Sequence, residues 1–177
     1  MTSSLNSWLT LETTSELETL TSTKYSPVLS KWDERFIQMA KSVAEWSKDP
    51  GTKVGAVLVS DRRIIATGYN GFPHGISDTL ERYANRDVKI AYTVHAEVNA
   101  ILNAAKNGAS TDSSTLYVTF PPCVSCSAAV IQAGVTHIIC PDLTTAPERW
   151  IESFTKGQNL LSEAGVLVTT YFPSNYV

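Results

Sequence analysis

The chain has 177 residues, of which 43% are hydrophobic and 18% charged, with a formal net charge of −3. That length suffices for one domain that buries a core without disulfide or metal support. An acidic balance speaks against a polynucleotide partner, whose phosphates call for a basic face, and no apolar run approaches the roughly 18 residues of a membrane span.

The amino terminus lacks the basic start and apolar stretch of a secretion signal. Three cysteines, an odd number, argue against a disulfide framework. The expected compartment is therefore reducing, the cytoplasm, with no membrane contact.

Residues 1–27 form a Ser/Thr-rich extension with few apolar side chains. Such a composition cannot bury enough surface to offset its ordering entropy. It reads as a flexible tail, or as an arm that orders on a neighbouring subunit through Trp8, Leu9 and Leu11. The folded domain is expected over 28–177. Ser30 caps a first helix with Trp32, Phe36, Met39, Val43 and Trp46 at helical spacing. The β-branched runs "KVGAVLVS" and "RIIATGY" form an antiparallel hairpin around "DRR".

The connection 70–93 is long, with glycines and a proline followed by charged residues. "HAEVNAILNAAKNG" is a helix with Val98, Ile101, Leu102 and Ala105 on one face and "NG" as its stop. "STLYVTF" is a strand, "CVSCSAAVIQAG" a helix and "THIIC" a strand. "PERWIESFTKGQNLLSEAG" is a last helix with Pro147 in its first turn and Gly157 weakening its middle, and "VLVTTYF" closes the chain as a strand. Strand–helix–strand units imply parallel neighbours and right-handed crossovers. The expected fold is three-layer α/β/α, a five-stranded mixed sheet with helices on both faces.

Cys123 and Cys126 stand one helical turn apart after two prolines. They could be a redox dithiol, half of a structural metal clip, or half of a catalytic metal site. His95 opens the preceding helix, with Glu97 two residues on. Redox chemistry has no use for that His-x-Glu pair. One imidazole and two thiolates make the three protein ligands of a catalytic zinc, with a fourth position for water. Helix starts favour thiolate over thiol. Glu97 is placed to carry protons without being a ligand. Cys140, in an apolar strand, reads as core, and His137 as a surface or edge residue.

The pattern His95-Ala96-Glu97 with Pro122-Cys123-Val124-Ser125-Cys126 matches the signature of zinc nucleobase deaminases. With "SKDPGTKVGAVLV", "ATGYNGFPHG", "TVHAEVNAIL" and "FPPCVSC", residues from about 28 to 172 resemble the deoxycytidylate (dCMP) deaminase family of the cytidine-deaminase-like superfamily. The resemblance implies hydrolysis of dCMP to dUMP and ammonia. A deaminase of a free nucleoside, or of another cytosine or adenine nucleotide, is the alternative on the same scaffold. A nucleotide-sensing module without catalysis would have no use for Glu97.

By position the resemblance further implies that His95, Cys123 and Cys126 bind zinc and that Glu97 is the proton shuttle. Asn70 would meet the sugar hydroxyl. The Ala96 N–H and a carbonyl near Pro121 would read the pyrimidine edge. Lys48 is the candidate for the 5′-phosphate. Family members include hexamers activated by dCTP and inhibited by dTTP, with magnesium accompanying the triphosphate, and Gly68, Tyr69 and Gly71 would approach such an effector. Relatives with a second, structural zinc use extra Cys and His that "SKDPGTK" and "NRDVKIAYTV" lack, so one zinc per chain is expected.

Overall fold

The computed structural model describes residues 29–173; the expectations for segment 1–27 lie outside the described residues. Helix α1, Lys31–Ala44, begins at a capping box: Ser30 accepts from the Asp33 N–H, and the Asp33 carboxylate accepts from the Ser30 N–H. A hairpin follows, β1 (Gly55–Ser60) and β2 (Arg63–Tyr69). Asp61 and Arg62 turn it with φ of 49° and 61°, the positive values that a tight two-residue turn needs. The connection 70–93 holds two short helices, α2 (Leu80–Ala84) and α3 (Arg86–Tyr92), capped by the side chains of Thr79 and Asn85. Helix α4 (Ala96–Lys106), strand β3 (Thr115–Val118), helix α5 (Val124–Gln132), strand β4 (His137–Pro141), helix α6 (Glu148–Glu163) and strand β5 (Leu167–Tyr171) complete the domain.

The five strands lie in the order β2-β1-β3-β4-β5. Strand β1 pairs antiparallel with both β2 and β3, whereas β3, β4 and β5 run parallel. Alternation along each strand sends successive side chains to opposite faces. Val57, Val59, Tyr117 and Ile139 meet Phe36, Ile37, Ala40 and Val43 of α1 on one face. Ala56, Leu58, Leu116, Val118, Ile138 and Cys140 face Ala96, Ala100, Ala104, Val130 and Leu161 of α4, α5 and α6 on the other. This is the expected three-layer arrangement, and each fully buried Val or Leu in it contributes about 1.5–3 kcal/mol. Among the described residues no helix is long and apolar enough to cross a membrane.

Two helix faces differ from expectation, for one reason. In α1 the inward residues are Phe36, Ile37, Ala40, Val43 and Ala44, while Trp32, Met39 and Trp46 are exposed. In α4 they are Ala96, Glu97, Ala100 and Ala104, with Leu102 54% exposed. Each helix lies on a strand glycine. A Cβ at Gly55 would be 2.1 Å from Ala40 O, and one at Gly68 would be 2.3 Å from both Ala96 O and Ala100 N. Backbone approach that close admits alanine at the contact and turns the large side chains away.

Candidate active site

The ends of β2 and β3 bring two helix starts together. His95 is the N-cap residue of α4 and Cys123 that of α5, both in extended conformation. Cap positions usually carry a side chain that accepts from the helix N–H groups, yet neither of these makes such a bond. Both side chains turn to each other instead. His95 Nδ1 lies 3.5 Å from Cys123 Sγ and 3.3 Å from Cys126 Sγ, and the three ligand atoms lie within 4.8 Å of one another. A tetrahedral zinc with bonds of about 2.3 Å to sulfur and 2.0–2.1 Å to nitrogen needs an N···S separation of about 3.5 Å. The donor set and its spacing fit that ion.

Several local features hold this geometry. The Gly71 N–H donates to Val94 O (3.1 Å) and Gly71 O accepts from the Val94 N–H (2.9 Å), which pins the residue before His95. Asn99 and Asn103 of α4 donate to Tyr69 O (2.7 Å) and Thr67 O (2.8 Å) along the outer edge of β2. Gly157 lets α6 cross the start of α5: a Cβ there would lie 2.6 Å from Ser127 Oγ and 3.1 Å from Pro122 O. The residue read from sequence as a weak point of α6 is thus where α6 meets the cysteine turn.

Burial and mutual contact set the electrostatics. Glu97 is buried (3% exposed), and burial pushes its carboxyl up to about 7, against the pull of the His95 ring. The hydrogen bond from Cys126 draws Cys123 down to about 4, helped by His95, and pushes Cys126 up. The Cys123 contact also raises His95 against the effect of its burial. An imidazole, a thiolate and a protonatable carboxyl are therefore gathered at one point. Such a group can hold a soft divalent cation and move a proton beside it.

A cavity of about 390 Å³ opens onto these residues, within the size range of small-molecule sites. His95, Ala96, Glu97 and Cys123 share its wall with Asn70 and Pro121, and Phe120, Trp150 and Phe154 supply aromatic surface. Asn70 is buried, its Oδ1 accepting from the Val54 N–H (2.8 Å) and its Nδ2 donating to Thr52 O (2.8 Å). One amide hydrogen and one lone pair remain for a ligand.

Lys48 does not line the cavity; it is exposed and pairs with Asp78 at 2.9 Å. The cations in the wall are Arg86, Lys89 and Arg149, none of which sequence reasoning singled out. Gly68 and Gly71 have structural occupations, the first under α4 and the second bridged to Val94, and neither lines the cavity. Tyr69 is 40% exposed and packs edge-on against Trp46. His137 lies 2.9 Å from Thr169 Oγ1 through its Nε2, and Cys140 is core, its thiol pushed up to about 12 by burial.

Residues 30–141 match the family model described as the cytidine and deoxycytidylate deaminase zinc-binding region. An uncharacterized deaminase of Aliivibrio fischeri is 44% identical over 143 residues, 80% of this chain and 95% of that protein. Human deoxycytidylate deaminase is 41% identical over 115 residues, 62% of this chain and 64% of its own length. The dCMP deaminase of cyanophage S-TIM5, solved in complex with dCMP and dUMP, superposes with a TM-score of 0.66 at 28% identity. That match covers 81% of this chain and 99% of the phage protein.

Proposed function

The chain belongs to the cytidine and deoxycytidylate deaminase family, and on that premise we propose that it hydrolyses dCMP to dUMP and ammonia. The observation that carries this reading is the buried Glu97 opening the same helix as His95, beside Cys123 and Cys126, in a ligand-sized cavity. The kinship with deoxycytidylate deaminases supports the substrate.

His95, Cys123 and Cys126 are the residues that would hold zinc, one per chain. When bound, the ion supplies a water acidified enough to attack at neutral pH. Glu97, buried at the α4 start beside the metal-ligand cluster, takes a proton from the attacking water and delivers it to the ring nitrogen N3. The hydroxyl left on C4 gives its proton through the same carboxyl to the amine, the C4–N bond breaks as the C4 carbonyl forms, and water and cytosine end as uracil and ammonia. Asn70 positions the sugar, and the Ala96 N–H and the Pro121 turn face the base edge. A reducing cytoplasm would keep the two thiols available as ligands.

Glu97→Gln tests the proton role. Zinc content and melting temperature should hold while ammonia release falls by about 10²–10⁴-fold; full activity would assign the proton to another group. The reading extends to activation by dCTP with magnesium, inhibition by dTTP and a hexameric assembly, supported by the "GYNG" resemblance and the exposure of Tyr69. Titrating activity with each triphosphate tests the extension, and a flat response to both removes it.

A further inference from the structure

Asn70 is fixed entirely from one side. Its Oδ1 and Nδ2 bond to Val54 and Thr52, its N–H donates to Val54 O (3.1 Å), and its carbonyl accepts from Ser47 Oγ (2.8 Å). All these partners lie in segment 47–54, which has no helix or strand of its own. Irregular backbone of that kind keeps one shape only where other contacts fix it. The fixing group is Asp49. It is 2% exposed, and its Oδ1 accepts from the Gly51 N–H (2.7 Å), the Thr52 N–H (3.2 Å) and Lys89 Nζ (2.7 Å). Its own N–H donates to Ser47 Oγ (3.2 Å). Asp49 thus holds both Ser47 and Thr52, which in turn hold Asn70. Lys89, its counterion, belongs to α3. The Thr93 hydroxyl donates back to Lys89 O (2.7 Å), and only Thr93 and Val94 separate α3 from His95. A charge pair therefore ties the segment that holds Asn70 to the stretch that delivers His95, and Asp49, Lys89 and Asn70 all line the cavity.

We infer that Asp49, with Lys89 as its counterion, is a positioning residue: it sets the direction in which the Asn70 carboxamide presents its remaining hydrogen and lone pair to a ligand hydroxyl. The inference rests on the deaminase reading for the identity of the ligand but not for the network. Asn at position 49 could still accept both backbone N–H groups through its own Oδ1. It would lose the charge-assisted bond to Lys89, which is roughly twice as strong as a neutral one. Met at position 89 would instead leave the buried Asp49 carboxylate without a counterion. Either change frees segment 47–54 to shift, and Asn70 must shift with it. A misplacement of about 1 Å is enough to degrade a bound geometry.

The test is a double-mutant cycle on the full-length, zinc-loaded chain. Asp49→Asn, Lys89→Met and Lys89→Arg are each made with Asn70 intact and with Asn70→Ala. The readouts are kcat and KM for dCMP, and dUMP affinity by calorimetry. With Asn70 intact, Asp49→Asn and Lys89→Met should each raise KM and weaken dUMP binding about 10-fold, with kcat moving less than KM. Lys89→Arg, which keeps the charge, should recover most of that loss. In the Asn70→Ala background the same substitutions should cost about 2-fold or less. Losses that persist in full without Asn70 would overturn the inference, because Asp49 and Lys89 would then act on the ligand directly or on the fold as a whole. Wild-type values for Asp49→Asn would overturn it too, and that variant carries the cycle alone if Lys89→Met does not fold. A ligand-free readout separates this inference from the deaminase reading: the nuclear magnetic resonance signal of the Asn70 side-chain amide should move in Asp49→Asn. If it moves and the wild-type chain releases no ammonia from dCMP, the positioning role stands and the deaminase reading fails. If the chain deaminates dCMP and the signal stays in place, the reverse holds.

Discussion

Gly68→Ala is the smallest change that should disturb the metal cluster without touching it. The added Cβ would stand 2.3 Å from Ala96 O and Ala100 N and 2.9 Å from Ala100 Cα, all backbone atoms of α4. No side chain can rotate aside. Restoring ordinary contact moves α4 off β2 by roughly 1 Å, a shift large enough to cost about 10²-fold in a reaction that depends on placement. Overpacking of this kind costs about 1–3 kcal/mol. Helix α4 carries His95 at its cap and Glu97 in its first turn. The 3.3 Å and 3.5 Å separations to the two sulfurs therefore stretch together. The assay is threefold: thermal melting with and without zinc, zinc affinity by competition with a chromogenic chelator, and kcat/KM on dCMP. We expect a lower melting temperature, weaker zinc retention and turnover reduced about 100-fold. Wild-type values for all three would refute the close-packing account. An effector role for Gly68 predicts a different signature, intact basal turnover with an altered response to dCTP or dTTP.

Three further outcomes follow from the structure. Asp33 feels burial, which would raise its carboxyl, but hydrogen bonds from Ser30 and from Tyr117 (2.7 Å) outweigh it and hold it below the usual 3.8. Its contribution is therefore present above pH 3.8 and lost as the pH falls through its own lower value. Tyr117→Phe should cost about 1.5–3 kcal/mol at neutral pH, and urea melts repeated in acid should show that penalty shrinking; a pH-independent penalty would contradict the charged bond. Elemental analysis should return one zinc per chain, and two would reveal a second site. Removing the ion with a chelator should abolish ammonia release, and adding it back should restore it.

The metal-ligand pattern was legible because each half is local: a His-x-Glu and a Cys-x-x-Cys, each opening a helix, are readable from turn signals and spacing alone. Their convergence was not written in either segment. It depends on β2 and β3 flanking β1 and on Gly68 and Gly157 allowing close helix approach. Phe36 and Val43 of α1 lie in the core and Val98 and Ile101 of α4 pack against it half-buried, whereas Trp32, Met39, Trp46 and Leu102 were misread by giving the inward faces to the largest apolar residues. Ala96, Ala100 and Ala104, spaced by four, together with a lone glycine in each facing strand, were the available signal. Lys48 was nominated for its place before β1; its exposed side chain pairs with Asp78 and is not in the cavity wall. Arg149 lies in the first turn of α6, a helix legible in the sequence although its place beside the cavity was not, and Arg86 was invisible because α3 is a seven-residue helix within what read as one long connection. Which wall its side chains face is fixed only by tertiary packing.

The amides of Asn99 and Asn103 have a consequence beyond steadying a helix. Strand β2 ends the sheet, and a bare terminal strand invites another chain to pair with it. Two of its outward carbonyls already hold a donor from within the same molecule. An incoming segment would have to displace those amides before it could extend the ladder, so the border resists runaway stacking even at high protein concentration.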